Sequence, residues 1–169
     1  MERAAYSGAK LISTVTHPLK KELQEVASAQ KVFWSPNGFD GALFPKALPD
    51  AKKRDSFTVV YHGRFSRLHD VEALRRLVLS CGKIDPDVCF VVAGPIPEDS
   101  RQRDWGTATF LGELSRKDIP GLLAECHLGI SLMKPSGATR VAMPAKVFEY
   151  WGAGIPVLAA PQGELLDFV

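Results

Sequence analysis

Along the chain, short β-rich apolar runs alternate with stretches whose apolar positions recur every three or four residues. The first kind of run fits a strand and the second one face of a helix. KLISTVT (10–16) predicts a strand, and His17 to Ala27 a helix with Leu19, Leu23 and Val26 on one side. KVFWS (31–35) predicts a second strand, stopped by the turn Pro36-Asn37-Gly38. Residues 41–55, rich in Pro, Lys and Asp, read as a loop. FTVVYH (57–62) and VCFVVAG (88–94) are nearly unbroken apolar runs, the mark of strands buried on both faces. Between them, Asp70 to Ser80 carries Val71, Leu74, Leu77 and Val78 at helical spacing. TATFLG (107–112) is a shorter strand. Ser115 is placed to cap a helix running to about Cys126, and HLGISLM (127–133) is a further strand. Pro144 suits the first turn of a helix ending near Gly152, IPVLAA (155–160) is the last strand, and Gly163-Glu164 opens a final helix.

Repeated β-α-β units with buried strands imply a doubly wound α/β layer, a parallel sheet with helices on both faces. Such sheets bind ligands beyond the carboxyl ends of their strands, here the loops after residues 62, 94, 112, 133 and 160. The composition agrees: 46% apolar and 24% charged residues in 169 suit one globular domain with a real core. A net charge of +2, with no basic run interleaved with aromatics, gives no ground for nucleic-acid binding. Lys52, Lys53 and Arg54 read as a solvated linker. Cys81, Cys89 and Cys126 lack metal-ligand spacing and read as small thiols in a reducing compartment. No apolar run approaches the ~20 residues needed to span a bilayer, and MERAAYSGAK lacks the apolar middle of a signal peptide.

Two loops carry candidate chemistry. In HGRFSRLHD (62–70), Gly63 permits a tight turn after a buried strand, and Arg64 offers a forked donor suited to a diphosphate. A plain turn and a surface arginine fit those residues as well. His69 is placed to add a switchable positive charge, or simply to pack. In KPSGATRVAMPAKVFEYWGAGIPVLAA (134–160), a Ser-Gly loop leads to a helix N-terminus, which favours an anion. Lys146 and Glu149 follow three residues apart. They read as an exposed ion pair or, for Glu149, as an acceptor for two ribose hydroxyls. No dinucleotide fingerprint, Walker A loop, Ser-His-Asp set or metal-spaced acid cluster is present.

These segments, in this order, resemble the C-terminal domain of retaining GT-B glycosyltransferases, family 4 in particular. KVFWSPNGFD is similar to the family's "PNG" entry to that domain, VVYHGRFS to its "GR" strand end, and ATFLGELSRKDIPGLLAECHLGISL to its "FLG" stretch. PAKVFEYWGAGIPVLAAPQGE resembles "P-x-K-x-x-E … G-x-PV … GE". The resemblance implies the Rossmann-like half of a GT-B fold that binds a nucleotide sugar, with a UDP-sugar as the candidate donor, and with no further cofactor and no metal. Residues 1–30 would be the tail of an N-terminal acceptor domain. Residues 31–169 would be the nucleotide-sugar-binding domain, cut short at its C-terminal end.

Residue by residue, the resemblance assigns Arg64 to the donor diphosphate and Glu149 to the ribose. Lys146 would stand in for an acid lost from the family pattern. Gly63, His69, Met143, Pro144, Ala145 and Val147 would line the donor, and the backbone around Leu111, Gly112 and Glu113 would lie near its base. Two positions depart: Val141 replaces the first glutamate of the family's Glu-x7-Glu pair, and His69 replaces a phosphate-binding lysine, with Arg67 near enough to help. The departures leave open a non-catalytic nucleotide-binding module, or an epimerase relative of the same fold. The expected partners are a nucleotide sugar and the N-terminal domain, in the cytoplasm or at the inner membrane face. Self-association through an apolar face on residues 1–30 is also expected.

Overall fold

The computed structural model describes residues 2–44, 52–160 and 163–167. A short helix α1 (Glu2–Gly8) opens the chain. Then β1 (Ile12–Thr14), α2 (His17–Gln24) and β2 (Val32–Trp34) form a small unit, with the two strands paired in parallel, Ile12 against Val32 and Thr14 against Trp34. Thr16 caps α2 by accepting the Leu19 N–H at 3.3 Å, and Pro18 fills the first turn, where a missing N–H costs nothing. β1 and β2 thus lie on either side of the 30/31 boundary expected from the sequence and belong to one sheet. Leu11, Phe33 and Trp34 of this unit are exposed.

The main sheet has five parallel strands in the order β5-β4-β3-β6-β7. They are β3 (Thr58–His62), β4 (Cys89–Ala93), β5 (Ala108–Gly112), β6 (Leu128–Leu132) and β7 (Val157–Ala160). Every residue of β3 is buried, because successive side chains enter different cores. Val59 and Tyr61 join Leu74, Val78, Phe90 and Ile130 on one face. Val60 joins Val91, Leu123, Cys126 and Tyr150 on the other. The helix α3 (Val71–Ile84) covers the first face, capped by Asp70, whose carboxylate accepts the Ala73 N–H at 2.9 Å. It runs a turn beyond the expected Ser80, as Gly82 costs a helix only about 1 kcal/mol. The second face is covered by α5 (Ile119–Glu125) and α7 (Ala145–Gly152). Tyr150 lies directly against Gly129, where any Cβ would come within 2.4 Å of its ring.

Several local expectations change. The α5 helix begins at Ile119, and Ser115 hydrogen-bonds the Asp118 carboxylate at 2.7 Å in the preceding turn, so it does not cap. Pro144 is the N-cap of α7 and stands one residue before its first turn. The final helix is 3-10 over Gly163–Asp167. Two four-residue helices, α4 (Glu98–Arg101) and α6 (Gly137–Arg140), were not legible, being too short for any periodicity. The middle of the expected 41–55 loop, residues 45–51, lies outside the described residues. Arg54 beyond it is tied down: its N–H donates to the Glu125 carbonyl and its guanidinium pairs with the Glu125 carboxylate at 3.3 Å.

Candidate functional site

The carboxyl end of β3 is built by two glycines. Gly63 has φ 113° and donates its N–H to the Ala93 carbonyl at 2.8 Å. Gly94, φ 132°, lies so close beneath that a Cβ would stand 2.3 Å from the Gly63 carbonyl oxygen. Both turns demand glycine, and their compactness brings the backbone up to Lys146, whose ammonium sits within 3.4 Å of where a Gly63 Cβ would be.

Lys146 is the second residue of α7. Its side chain is 8% exposed, and its Nζ has no hydrogen-bond partner and lies 3.8 Å from the centre of the Tyr61 ring. The other side of Tyr61 carries Phe65, stacked at 4.3 Å. Burial pushes the Lys146 ammonium down to about 7, opposed in part by the Glu149 carboxylate. The exposed Lys146–Glu149 ion pair that their spacing allowed is therefore not what forms. Glu149, one turn on, is half-buried and raised above the usual carboxylate range by that burial, with Arg116 and Lys146 pulling the other way. Its Oε2 stands 3.2 Å from His62 Nε2, close but not aligned for a hydrogen bond. His62 is pushed down to about 3, first by burial and then by the Lys146 charge, so its imidazole is neutral.

Two clefts meet here. One, of about 390 Å³, is walled by His62, Gly63, Arg64, His69, Met133 and the segment Ala142–Lys146, with Glu149. The other, of about 230 Å³, adds Gly94, Glu113, Leu114 and Arg116 and shares His62, Gly63, Arg64 and Glu149 with the first. They are two lobes of one trough across the carboxyl ends of β3 and β4. Arg64 projects between the lobes, 74% exposed, with only a 3.7 Å pairing to the equally exposed Glu113. Such a pair contributes under about 1 kcal/mol, so the guanidinium is free to turn to a ligand. The N-terminus of α7 has no side-chain cap; the Val147 N–H is taken by the Pro144 carbonyl at 3.2 Å, while those of Ala145 and Lys146 before it lack intrahelical acceptors.

Of the residues expected to act together, Gly63, Arg64, His69, Met143, Pro144, Ala145, Lys146 and Glu149 line the first lobe. Three expectations change. His69 supplies no charge near neutral pH: burial and the Lys146 ammonium lower it to about 4, and Nδ1 accepts the Ser66 N–H at 3.1 Å. Val147 is sealed with Met143 and Leu165 in a core cluster, because it falls on the face of α7 turned from the trough. Leu111 and Gly112 end β5 without lining either lobe, while the next residues, Glu113 and Leu114, do. Sequence reasoning missed His62 and Arg116. A histidine closing a fully buried strand was the available signal for the first, and nothing local marked the second.

A larger cleft of about 510 Å³ lies across the 65–69 loop and shares His69. Two of its three arginines, Arg75 and Arg103, are already engaged. Glu72, held down to about 2 by hydrogen-bonding Arg75 and by the charge of Arg103, binds them at 2.8 and 2.7 Å. Among the described residues no group of three or more His, Cys, Asp or Glu is arranged to hold a metal ion. No described helix is long and apolar enough to cross a membrane.

A five-stranded parallel sheet with helices on both faces and a trough across the carboxyl ends of its strands is a doubly wound α/β architecture. Solved structures share the fold. Anabaena HepE in complex with UDP-glucose superposes with a TM-score of 0.75 at 22% identity, over 98% of this chain and 48% of that one. Sucrose-phosphate synthase from Thermosynechococcus elongatus gives 0.73 at 22% identity, over 99% and 45%. The fold matches the Rossmann-like half of GT-B glycosyltransferases. Residues 56–169 match the family described as Glycosyl transferases group 1, and the chain belongs to that family. A curated relative, chitobiosyldiphosphodolichol beta-mannosyltransferase of Candida glabrata, is 37% identical over 79 residues, 43% of this chain and 17% of the relative. The chain spans about half the length of the solved relatives it matches.

Proposed function

We propose that this chain is the donor-binding half of a retaining, family 4 type glycosyltransferase. It moves a sugar from a nucleotide sugar, a UDP-sugar in the first instance, to a glycan or other acceptor held by an N-terminal domain. Residues 1–30 are read as the tail of that domain. The observation that carries the reading is the Lys146 ammonium, buried without a partner at the uncapped start of α7 and facing the trough. A buried cation lacking an acceptor is costly, and an anionic ligand supplies the acceptor.

In this reading the diphosphate lies over Gly63 and the start of α7. Arg64 swings from Glu113 to bind it, and Glu149 takes the ribose hydroxyls. Negative charge grows on the diphosphate as the glycosidic bond to it breaks. Lys146 and the helix N-terminus are already in place to meet that charge, with Arg64 turned in beside them, and one preorganised contact is typically worth about 3–4 kcal/mol of barrier. Val141 offers the sugar no carboxylate, so hydroxyl recognition falls to other groups. That departure is the observation favouring a second reading, a nucleotide-binding module that has lost transfer.

Calorimetric titration of UDP, GDP and ADP, with Glu149→Ala as control, tests the proposal. Saturable binding of one nucleotide, lost in the variant, is the expected result. Binding unaffected by Glu149→Ala would remove the assigned site.

A further inference from the structure

The wall of the trough formed by residues 141–144 has no regular secondary structure of its own, lying between α6 and α7. Within the segment, support is thin: Ala142 donates to the Thr139 carbonyl at 3.3 Å. The strong holds come from far away in sequence. Thr16 Oγ1 donates to the Val141 carbonyl at 2.8 Å, and Asn37 Nδ2 donates to the Met143 carbonyl at 2.7 Å. Thr16 is fully buried, so the Val141 carbonyl is drawn into the protein.

Thr16 lies within the β1–α2–β2 unit, as the cap of α2, and Asn37 follows just after β2; the unit grips the same region twice more. Glu22 pairs with Arg140 at 2.7 Å, and His17 binds the buried Glu164 carboxylate through Nδ1 at 2.8 Å and through its N–H. The turn at Gly163 passes so close to the Arg140 carbonyl that a Cβ there would lie 1.6 Å from its oxygen. Unit, wall and turn are therefore one block, built around residues 140–143. The Pro36-Asn37-Gly38 motif, read from sequence only as a turn, holds Asn37 in place to act on that block.

We propose that Thr16 and Asn37 are positioning residues for the nucleotide site. By taking the carbonyls of Val141 and Met143, they hold the 141–144 wall in the shape that presents the start of α7 and Lys146 to an anion. They also keep two carbonyl oxygens, the negative ends of the peptide dipoles, from turning into a cleft whose occupant is itself negative. The inference rests on the nucleotide-binding reading for its purpose, while the brace itself is a property of the free chain.

Asn37→Asp keeps the shape of the side chain and removes its donor, and Thr16→Val removes the hydroxyl. Thr16→Ser keeps both the donor to Val141 and the cap of α2. The first measurement is amide hydrogen exchange of the ligand-free chain. Exchange at Ala142 and Val147, whose N–H groups donate to the Thr139 and Pro144 carbonyls, is expected to quicken by about tenfold in Asn37→Asp and Thr16→Val, with α3 and β4 unchanged and Thr16→Ser like the parent. The second is calorimetric titration with UDP, where the same two variants are expected to bind about tenfold more weakly. Local exchange unchanged in Asn37→Asp overturns the brace, and so does exchange that quickens equally everywhere. A quickened wall with unchanged UDP affinity overturns the positioning role. Absence of nucleotide binding by the parent chain counts against the proposed function, and the exchange measurement still decides the brace.

Discussion

Raising the pH from 7 to 9 should weaken nucleotide binding by about 50-fold, and Lys146 should be the cause. Its ammonium is buried against Tyr61 and Gly63 without an acceptor, and burial lowers it to about 7 from an ordinary 10.5. A bound diphosphate favours the charged form, so binding above pH 7 must draw a proton from solvent. Well above pH 7 each further unit costs about 1.4 kcal/mol, or tenfold in affinity; because half the ammonium is already lost at pH 7, the two units together give about 2.3 kcal/mol. Other groups stay quiet in that window. His62 and His69 are held at about 3 and 4 and remain neutral, and a terminal phosphate, with a pKa of about 6, is already ionised. The stability of the free chain moves the opposite way. The folded chain binds fewer protons than the unfolded one between about pH 7 and the ordinary lysine range, so the free protein gains stability as pH rises through it. Titration of UDP at pH 8.5 in two buffers of different ionisation enthalpy should count close to one proton taken up. In Lys146→Met the uptake and the slope should both vanish, with affinity at pH 6.5 reduced and the fold retained. A parent affinity that stays flat between pH 7 and 9, or a Lys146→Met variant with the parent's slope, would refute the reasoning.

Two further perturbations address the frame beneath the site. Gly129→Ala places a Cβ 2.4 Å from the Tyr150 ring, so a loss of about 1–3 kcal/mol is expected in urea denaturation, with a lowered midpoint. A midpoint equal to the parent's would show that Tyr150 can shift freely. Tyr150→Phe removes a buried hydroxyl that accepts the His62 N–H at 3.2 Å and reaches the Ile130 and Val60 carbonyls at 3.1 and 3.3 Å. Leaving that N–H unsatisfied costs about 1–3 kcal/mol, measurable by the same assay, and unchanged stability would mean water replaces the hydroxyl.

The parallel sheet was legible because both faces of β3 and β4 are covered, which leaves almost no polar residue in FTVVYH or VCFVVAG. The helix α3 was legible because Leu74 and Val78 fall one turn apart on a single buried side. Short elements carry no such repeat, so α4 and α6 were lost. The trough was partly legible for a related reason: Gly63, Arg64 and the start of α7 sit at strand ends, where topology alone directs attention. Depth was not. Nothing local distinguishes an exposed Lys146 from one sealed beneath Gly63, and the orientation of Val147 depends on which side of α7 packs on Leu165. His69 looked like a charge because its ordinary value lies near neutrality, and only the neighbouring Lys146 and its partial burial decide otherwise. The clasp of Thr16 and Asn37 on residues 141–143 joins segments more than a hundred positions apart, beyond the reach of any local pattern.

That clasp also sets an order of events. Helices such as α3 can form from neighbours alone, whereas Thr16 must wait for Val141, 125 positions later, and His17 for Glu164, 147 positions later. Closing loops of that length adds entropy cost and slows the contacts that depend on it. During synthesis the sheet strands β3 and β4 can assemble while the wall of the trough still has no back support. Binding competence should therefore arrive as a late kinetic step, after most of the core has consolidated. A nucleotide added to a refolding chain would then bind in step with the joining of the two distant segments, acting as a clock for the final stage of folding.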